Sequence, residues 1–189
     1  MNLILASGSP RRKELLQQAG FNFTVDVPDE DAESIGEVRL SPVELVAALA
    51  FQKAANVAKR SDNGLVLAAD TVAECDGQVL GKPQDRADAQ RMLNQMRGKQ
   101  HFVHTGVCLW RRPGDRKSVQ TETTTLQMSE LSDEAIDQYL DTGLWKGKAG
   151  AFGYQDGIDW ISIEQGTASN VVGLPMDLLD RMLNMAWAK

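Results

Sequence analysis

The chain contains little cysteine, with two residues of this type in 189. Cys75 and Cys108 lie far apart and lack the paired spacing of a metal site, so the sequence disfavours both a disulfide framework and a zinc centre. We expect two buried free thiols in a reducing compartment.

A long hydrophobic run and an excess of positive charge are also missing. The apolar residues 1–6 match the length of a strand and are too few for a transmembrane helix. Neither a basic leader nor a small-residue cleavage site accompanies them, so we expect no signal peptide and a cytoplasmic protein. The formal net charge of −6 disfavours a nucleic-acid polymer or a membrane surface as partner. Any anionic substrate would need basic residues gathered locally.

The residues that are present describe an ordinary globular chain, 42% apolar and 24% charged. Strand-like and helix-like segments alternate at first, and a long hairpin follows. This order predicts an α/β fold with a mixed sheet. No repeat or linker marks a boundary, so we treat residues 1–189 as a single domain.

Local signals predict most of the elements. Ser9 and Pro10 start a helix that stops at Gly20, and the capping box of residues 41–44 starts the next one. A buried strand over residues 65–69 ends at Asp70, and a tight hairpin at residues 76–77 joins strands over residues 71–75 and 78–80. Further helices are predicted over residues 85–97 and 132–143 and from about 176, and further strands over residues 102–111, 118–128 and 160–164.

The segment from Ser7 to Lys13 is a candidate phosphate site. A strand that leads through small residues into a helix N-terminus presents backbone N–H groups to an anion. Arg11 and Arg12 add guanidinium groups that match phosphate oxygens. The alternative is a solvated basic turn. The pattern is neither a Walker loop nor a dinucleotide fingerprint.

Asp70 is a candidate for metal binding or for accepting a proton from water. It follows a buried apolar strand, and open α/β sheets place their ligands at the carboxyl ends of strands. A carboxylate there can hold magnesium or act as a base. The alternative is an aspartate that simply leaves the strand at a turn.

Other candidates are weaker on pattern alone. Lys82, between Gly81 and Pro83, and Lys53, within a helix, could each contact phosphate, but an exposed or solitary lysine is the simpler interpretation. In the glycine-rich segment, which runs over residues 143–157, Phe152 or Tyr154 could stack on a base and Gln155 could read a base edge. A surface loop is the alternative.

The acidic loop and the two histidines complete the candidates. The acidic loop (Asp29, Glu30, Asp31 and Glu33) could supply a metal ligand or form a solvated patch. We interpret His101 and His104 as structural, because no third ligand shares a face with them.

Six short segments follow one another in a definite order: LASGSPRR at residues 5–12, QKA at 52–54, ADTV at 69–72, GKP at 81–83, KAGAFG at 148–153 and VVGLP at 171–175. In this order they resemble the Maf family over residues 3–185, nearly the whole chain. The resemblance implies a central twisted mixed β-sheet flanked by helices, with two lobes around a deep cleft, in an ITPase-like fold. It is compatible with a homodimer.

The resemblance also implies hydrolysis of a nucleoside triphosphate to the monophosphate and diphosphate with a divalent cation, Mg or Mn. Asp70 would be the general base and would share the metal with Glu33, with Glu30 as the reserve ligand. The implied phosphate-binding residues are Ser7, Arg11, Arg12, Lys53 and Lys82.

Three residues favour the subgroup that acts on dTTP and UTP: Arg12, Thr71 and Gln155 resemble its base-specificity residues. The alternatives are a 7-methyl-GTP pyrophosphatase of the same family, a plain phosphatase, and a non-catalytic nucleotide-binding regulator of septum formation. A cellular role in nucleotide-pool cleansing or cell-division arrest would follow from the resemblance.

Overall fold

The computed structural model describes residues 2–33 and 39–187, and it describes only the backbone of Glu30, Glu33, Ala186 and Trp187. In these residues the strands are β1 Leu3–Leu5, β2 Phe23–Val25, β3 Gly64–Cys75, β4 Gln78–Leu80, β5 Gln100–Arg112, β6 Lys117–Met128 and β7 Ile161–Gln165. The α-helices are α1 Pro10–Gln18, α2 Pro42–Ala58, α3 Arg86–Met96, α4 Asp133–Asp141, α5 Ala168–Val172 and α6 Met176–Trp187. Every helix in this part of the chain is too short or too polar to cross a membrane.

Three of the predicted helix starts, those of α2, α3 and α4, are confirmed by side-chain caps. Ser41 Oγ accepts a hydrogen bond from the Glu44 N–H at 3.3 Å, and the Glu44 carboxylate accepts one from the Ser41 N–H at 2.9 Å, which completes the capping box of α2. The side chains of Asp85 and Ser132 cap α3 and α4 in the same way. These starts depend on residues a few positions apart, which is why the sequence predicts them well.

The strands form one mixed sheet in the order β2–β1–β3–β5–β6–β7, with β4 paired to β3. Strand β1 pairs in parallel with β2 and β3, whereas β3–β4 and β6–β7 are antiparallel. The predicted α/β class with a mixed sheet is therefore confirmed.

The chain divides into two compact units. The first comprises the residues up to Asp70, Thr105–Glu122 and the residues from Gly173 onward; the second comprises Thr71–His104 and Thr123–Val172. Strands β3, β5 and β6 contribute residues to both units. The prediction of one domain over residues 1–189 stays a prediction.

In the first unit, apolar side chains alternate between the two faces of β1 and β3. Leu5 and Leu67 pack with residues of α1 and α6, whereas Ile4, Val66 and Ala68 pack with the alanines of α2. A strand buried on both faces has a continuous apolar sequence, as β1 does and as residues 65–69 of β3 do. The alternation assigns Asp70 to the face that α2 covers.

In the second unit, a single apolar cluster joins α3, α4 and the glycine-rich segment. Its buried members include Met92, Leu93, Ile136, Trp145 and Phe152. Cys75 lies in this cluster, and Cys108 lies in the α2 cluster of the first unit, so the prediction of two buried free thiols is confirmed.

One sequence-based expectation about the elements is wrong. The strand over residues 65–69 does not end at Asp70 but is continuous with the predicted hairpin strand over residues 71–75, which pairs with β4 as predicted. Strand β2 and helix α5 were not predicted, because their three and five residues are too few to show a periodic pattern.

Candidate active site

The loop between β1 and α1 is organised by the hydroxyl group of Ser7. Ser7 is buried, and its Oγ accepts hydrogen bonds from the Ser9 N–H and from Arg12 Nη1, both at 3.2 Å. Ser9 occupies the N-cap position with Pro10 after it, as predicted, but its side chain makes no capping bond. The start of α1 carries the positive end of the helix dipole, which suits an anion.

Arg12 is held at both ends of its guanidinium group. Besides its bond to Ser7, its Nε donates to the carbonyl oxygen of Gly173 at 2.7 Å. Gly173 belongs to the VVGLP segment, so two distant motifs meet at this side chain. A guanidinium fixed in this way keeps its direction, as recognition of a phosphate or a base requires. Arg11 lies beside it in the first turn of α1 and is partly buried.

Lys53 and Asp70 form an ion pair with the Nζ and Oδ1 atoms 2.6 Å apart. Lys53 lies on the apolar face of α2, in register with Val46, Ala50 and Val57, and this face packs against the sheet. Its side chain is 8% exposed and that of Asp70 is 14% exposed. A lysine buried among alanines requires a partner of opposite charge, and Asp70 provides it. The role of Lys53 in phosphate binding stays a prediction.

Asp70 and Ser7 lie at the same end of two parallel strands. Leu5 is opposite Leu67, and the Ala6 N–H donates to the Leu67 carbonyl at 2.8 Å. Ser7 therefore lies two residues past this register and Asp70 three. The predicted location of Asp70 at a strand end is wrong for β3, which continues past it, but Asp70 does lie beyond the last parallel pair, Leu5 with Leu67.

The described residues partly fit a divalent cation. The ion pair uses one oxygen of Asp70, and a carboxylate is a ligand that Mg²⁺ or Mn²⁺ prefers. Among the described side chains, no group of three acidic, histidine or cysteine residues could hold a metal ion by itself. Magnesium is often held by one or two carboxylates together with substrate phosphates, and Asp70 fits that arrangement. The predicted partner Glu33 and its reserve Glu30 lie in a 3₁₀ turn, and their side chains are outside the described part.

The second unit carries Thr71, Lys82 and Gln155. Thr71 follows Asp70 in β3, and Lys82 is exposed in the turn after β4. Gln155 is exposed in the 3₁₀ turn Tyr154–Asp156. Exposure leaves Lys82 and Gln155 accessible to a ligand, and their joint contact with one substrate together with Asp70 stays a prediction.

The glycine-rich segment corrects one hypothesis and adds one feature. Phe152 cannot stack on a base, because it is buried and packs edge-on against His101 with ring centroids 5.5 Å apart. Tyr154 is only partly buried and remains a candidate. Lys148 and Asp156 form an ion pair that the sequence analysis missed. The only signal for it was two opposite charges eight residues apart with two glycines between them.

Both histidines are buried, as the structural interpretation requires. Burial lowers the pKa of His101 to about 4, against a smaller opposing effect of the Lys99 backbone. His104 contacts Thr123 Oγ1 through Nδ1 at 2.8 Å and Glu74 Oε2 through Nε2 at 3.3 Å.

The sequence is similar to curated proteins over almost its whole length. It is 52% identical over 183 residues to a dTTP/UTP pyrophosphatase of Rhodopirellula baltica, covering 96% of this chain and 81% of that protein. It is 46% identical over 182 residues to a dTTP/UTP pyrophosphatase of Symbiobacterium thermophilum, covering 96% and 92%.

Solved structures with a similar fold have low sequence identity. A HAM1 protein from Coxiella burnetii superposes with a TM-score of 0.56 at 15% identity, covering 98% of this chain and 100% of that one. The Ham1 protein of Staphylococcus aureus gives 0.54 at 12% identity, covering 98% and 99%. These likenesses support the predicted ITPase-like fold.

The family model described as Maf-like protein matches residues 2–186. This match covers the β1–α1 loop with Ser7 and Arg12, the Lys53–Asp70 pair and the glycine-rich segment. The chain belongs to the Maf family.

Proposed function

We propose that the protein is a nucleoside triphosphate pyrophosphatase that hydrolyses dTTP and UTP to the monophosphate and diphosphate. The Lys53–Asp70 pair is the observation that carries the proposal. It holds a carboxylate 14% exposed at the end of the parallel strands, beside the loop that contains Ser7. The names of the two relatives support the substrate class, since both are called dTTP/UTP pyrophosphatases.

In the proposed reaction, water attacks the α-phosphorus and the bond from that phosphorus to the bridging oxygen breaks. Asp70 takes the proton from the water, and the electron pair of the broken bond leaves with the diphosphate. Lys53 donates to Asp70 Oδ1 and keeps the carboxylate in one orientation. A general base must be held in a fixed orientation and must lie within hydrogen-bond reach of the proton that it accepts. The pairing with Lys53 fixes the orientation of Asp70.

The triphosphate requires positive charge where its oxygens lie. Arg12 is oriented by Ser7 and Gly173, and Arg11 stands in the same helical turn. Lys82 adds a flexible cation from the second unit. Asp70 and Glu33 would hold a divalent cation, Mg or Mn, which supplies positive charge to the phosphate oxygens when bound.

Base selection falls to Gln155, Thr71 and Arg12. A glutamine amide has both a donor and an acceptor, which complement the N3–H and O4 groups of uracil and thymine. Cytosine presents the opposite pattern at these positions, which the amide matches only in its reversed orientation, so discrimination requires the Gln155 amide to be held in one orientation. We therefore expect UTP and dTTP to be preferred over CTP.

A nucleotide panel with product identification tests the proposal. UTP, dTTP, CTP, GTP and 7-methyl-GTP are incubated with Mg²⁺ or Mn²⁺, and the products are separated. We expect monophosphate and diphosphate from UTP and dTTP. Faster turnover of 7-methyl-GTP would assign the chain to that subclass, and orthophosphate as the first product would indicate a phosphatase. Intact nucleotides after long incubation would indicate a regulator that binds without turnover.

In the cell, we propose a cytoplasmic role in nucleotide-pool cleansing or in the arrest of cell division. Both roles require turnover, so they are tested with an inactive variant. Overproduction of the wild-type protein should alter nucleotide pools or cell length, and overproduction of Asp70→Asn should not. Equal effects of the two proteins would show that the cellular role does not depend on catalysis.

A further inference from the structure

The Lys148–Asp156 ion pair encloses the segment that carries the candidate base-reading residues. Lys148 Nζ contacts Asp156 Oδ2 directly, and the two side chains are 11% and 16% exposed. The eight-residue spacing encloses Gly153, Tyr154 and Gln155. Because Asp156 already neutralises Lys148, this lysine is not available as another cation for the triphosphate. The pair therefore calls for a different explanation.

Gly153 shows that the backbone fits closely around this pair. Its φ of −123° and ψ of 106° are open to any residue, so glycine is not needed for conformation. A Cβ atom built there would lie 2.5 Å from Lys148 Nζ and would overlap Asp156 Oδ2. The Lys148 ammonium and the Asp156 carboxylate therefore occupy the space that a side chain at residue 153 would fill. The Asp156 N–H also donates to the Gly153 carbonyl at 3.0 Å and closes the turn around Gln155.

A second contact links the same segment to the turn that carries Lys82. The Gly150 N–H donates to the Gly81 carbonyl at 3.0 Å. Gly150 has a φ of +68°, and a Cβ there would lie 2.9 Å from the Cβ of Ala73 in β3. The start of the segment is therefore fixed against β3 and next to Lys82, while the ion pair fixes its end.

We propose that the Lys148–Asp156 pair is a positioning device that sets Gln155 and Tyr154 for selection of the substrate base. The inference rests on the proposed function, because it assigns a task within nucleotide selection. A segment with glycines at 150, 153 and 157 loses backbone conformational entropy at each residue when it is ordered. The buried pair holds it in one conformation before substrate arrives, so that ordering does not oppose binding.

The test uses Gly153→Ala, Asp156→Ala and the double variant. Gly153→Ala keeps an allowed backbone conformation and pushes the two charges apart, whereas Asp156→Ala removes one of them and frees the space. The kcat and KM values for UTP and CTP are measured for each protein. Asp137→Ala serves as the matched control, because it removes an exposed ion pair with Arg86 in the same unit, 3.1 Å long.

We expect each single variant to raise KM for UTP more than it lowers kcat. The UTP-to-CTP ratio of kcat/KM should fall at least about tenfold, since misplacement of a reading group by an ångström has effects of this size or larger. The double variant should be no worse than Asp156→Ala, because the added methyl group then has room. Asp137→Ala should match the wild-type protein.

A purely structural role gives a different result. It would lower the melting temperature and the active fraction, reduce kcat equally for both nucleotides and leave the ratio unchanged. That result, or additive losses in the double variant, would overturn the inference. Binding of UTP and CTP is measured by calorimetry in parallel. A wild-type protein without turnover would refute the proposed function, and the binding ratio would still decide whether the pair positions the base-reading residues.

Discussion

The two units carry their candidate residues in different ways. In the first unit, Arg12, Lys53 and Asp70 lie on α1, α2 and β3, and each is held by a bond to another element or loop. In the second unit, Lys82 and Gln155 lie in turns, and the glycine-rich segment is held by the Lys148–Asp156 pair, by the packing of Phe152 and by backbone hydrogen bonds such as that from Gly150 to Gly81.

This difference matches the tasks proposed for each set. Proton transfer requires an orientation that does not vary, which regular elements supply. Base selection depends on a few polar groups that contact the edge of the base. Such groups can lie in turns, because a change in a turn leaves the catalytic residues in place. The account therefore predicts that damage to the first unit abolishes turnover, whereas damage to the segment in the second unit changes the choice of nucleotide.

Asp70→Asn should have the largest effect. The amide keeps the shape of the side chain but cannot accept the proton, so we expect kcat with UTP to fall at least about a hundredfold. Asp62→Asn, an exposed aspartate of the same unit, is the control and should leave kcat unchanged. Near-normal turnover by Asp70→Asn, with a normal melting temperature, would remove Asp70 from the proposed chemistry.

Lys53→Met should have the next largest effect, on stability as well as activity. It leaves the Asp70 carboxylate without its cation in a largely buried place, which costs about 3 kcal/mol in the free energy of unfolding. Removal of a cation from an exposed pair such as Arg91–Asp88, where the arginine side chain is 56% exposed, should cost less than about 1 kcal/mol.

A double variant separates this pairing from simple loss of packing. Lys53→Met combined with Asp70→Asn should be more stable than Lys53→Met alone, because the uncompensated charge is gone. Urea unfolding of the four proteins gives the coupling free energy. Additive effects would contradict the view that the two residues stabilise each other.

Acid should destabilise the second unit through protonation of His101. The folded-state pKa of about 4 lies below the ordinary 6.5, so the unfolded chain binds the proton first as the pH falls. The stability that neutral His101 contributes is therefore complete well above pH 6.5 and declines towards pH 4, by about 1.5 kcal/mol between pH 6.5 and 5. His101→Leu should remove this part of the pH dependence in urea unfolding. Parallel pH profiles for the two proteins would show that His101 is not the cause.

The smallest effect concerns the cysteines, one in each unit. Burial raises the pKa of the Cys75 thiol, and it raises that of Cys108 to about 12. Thiolates are the reactive form, so neither residue should react with a disulfide reagent in the folded protein at pH 8, and both should react in urea. Reaction of Cys75 alone under native conditions would show that the second unit opens by itself.

The sequence predicts the features that depend on neighbours along the chain. The capping box at Ser41 and the turn at Asp76 and Gly77 follow from residues within four positions, and both are present. The hairpin strands over residues 71–75 and 78–80 were predicted as well, but their continuity with residues 65–69 in one strand was not, because Asp70 interrupts the apolar run.

Pairs of distant side chains account for most of what the sequence did not predict. Lys53 was named from a motif, but its bond to Asp70 joins residues 17 positions apart on different elements. The Lys148–Asp156 pair is closer in sequence, yet only folding shows that Gly153 makes room for it. The hypothesis that Phe152 stacks on a base was wrong, because Phe152 is buried. Its burial depends on contacts with α3, α4 and His101, which no local pattern reveals.

Hydrolysis of UTP in ¹⁸O-labelled water tests the central claim most directly. The account predicts that water attacks the α-phosphorus, so the label should appear in UMP and the released diphosphate should be unlabelled. Asp70→Asn should release almost no labelled UMP under the same conditions. Label in the diphosphate, or in orthophosphate, would contradict the account, because the attack would then fall on a different phosphorus atom.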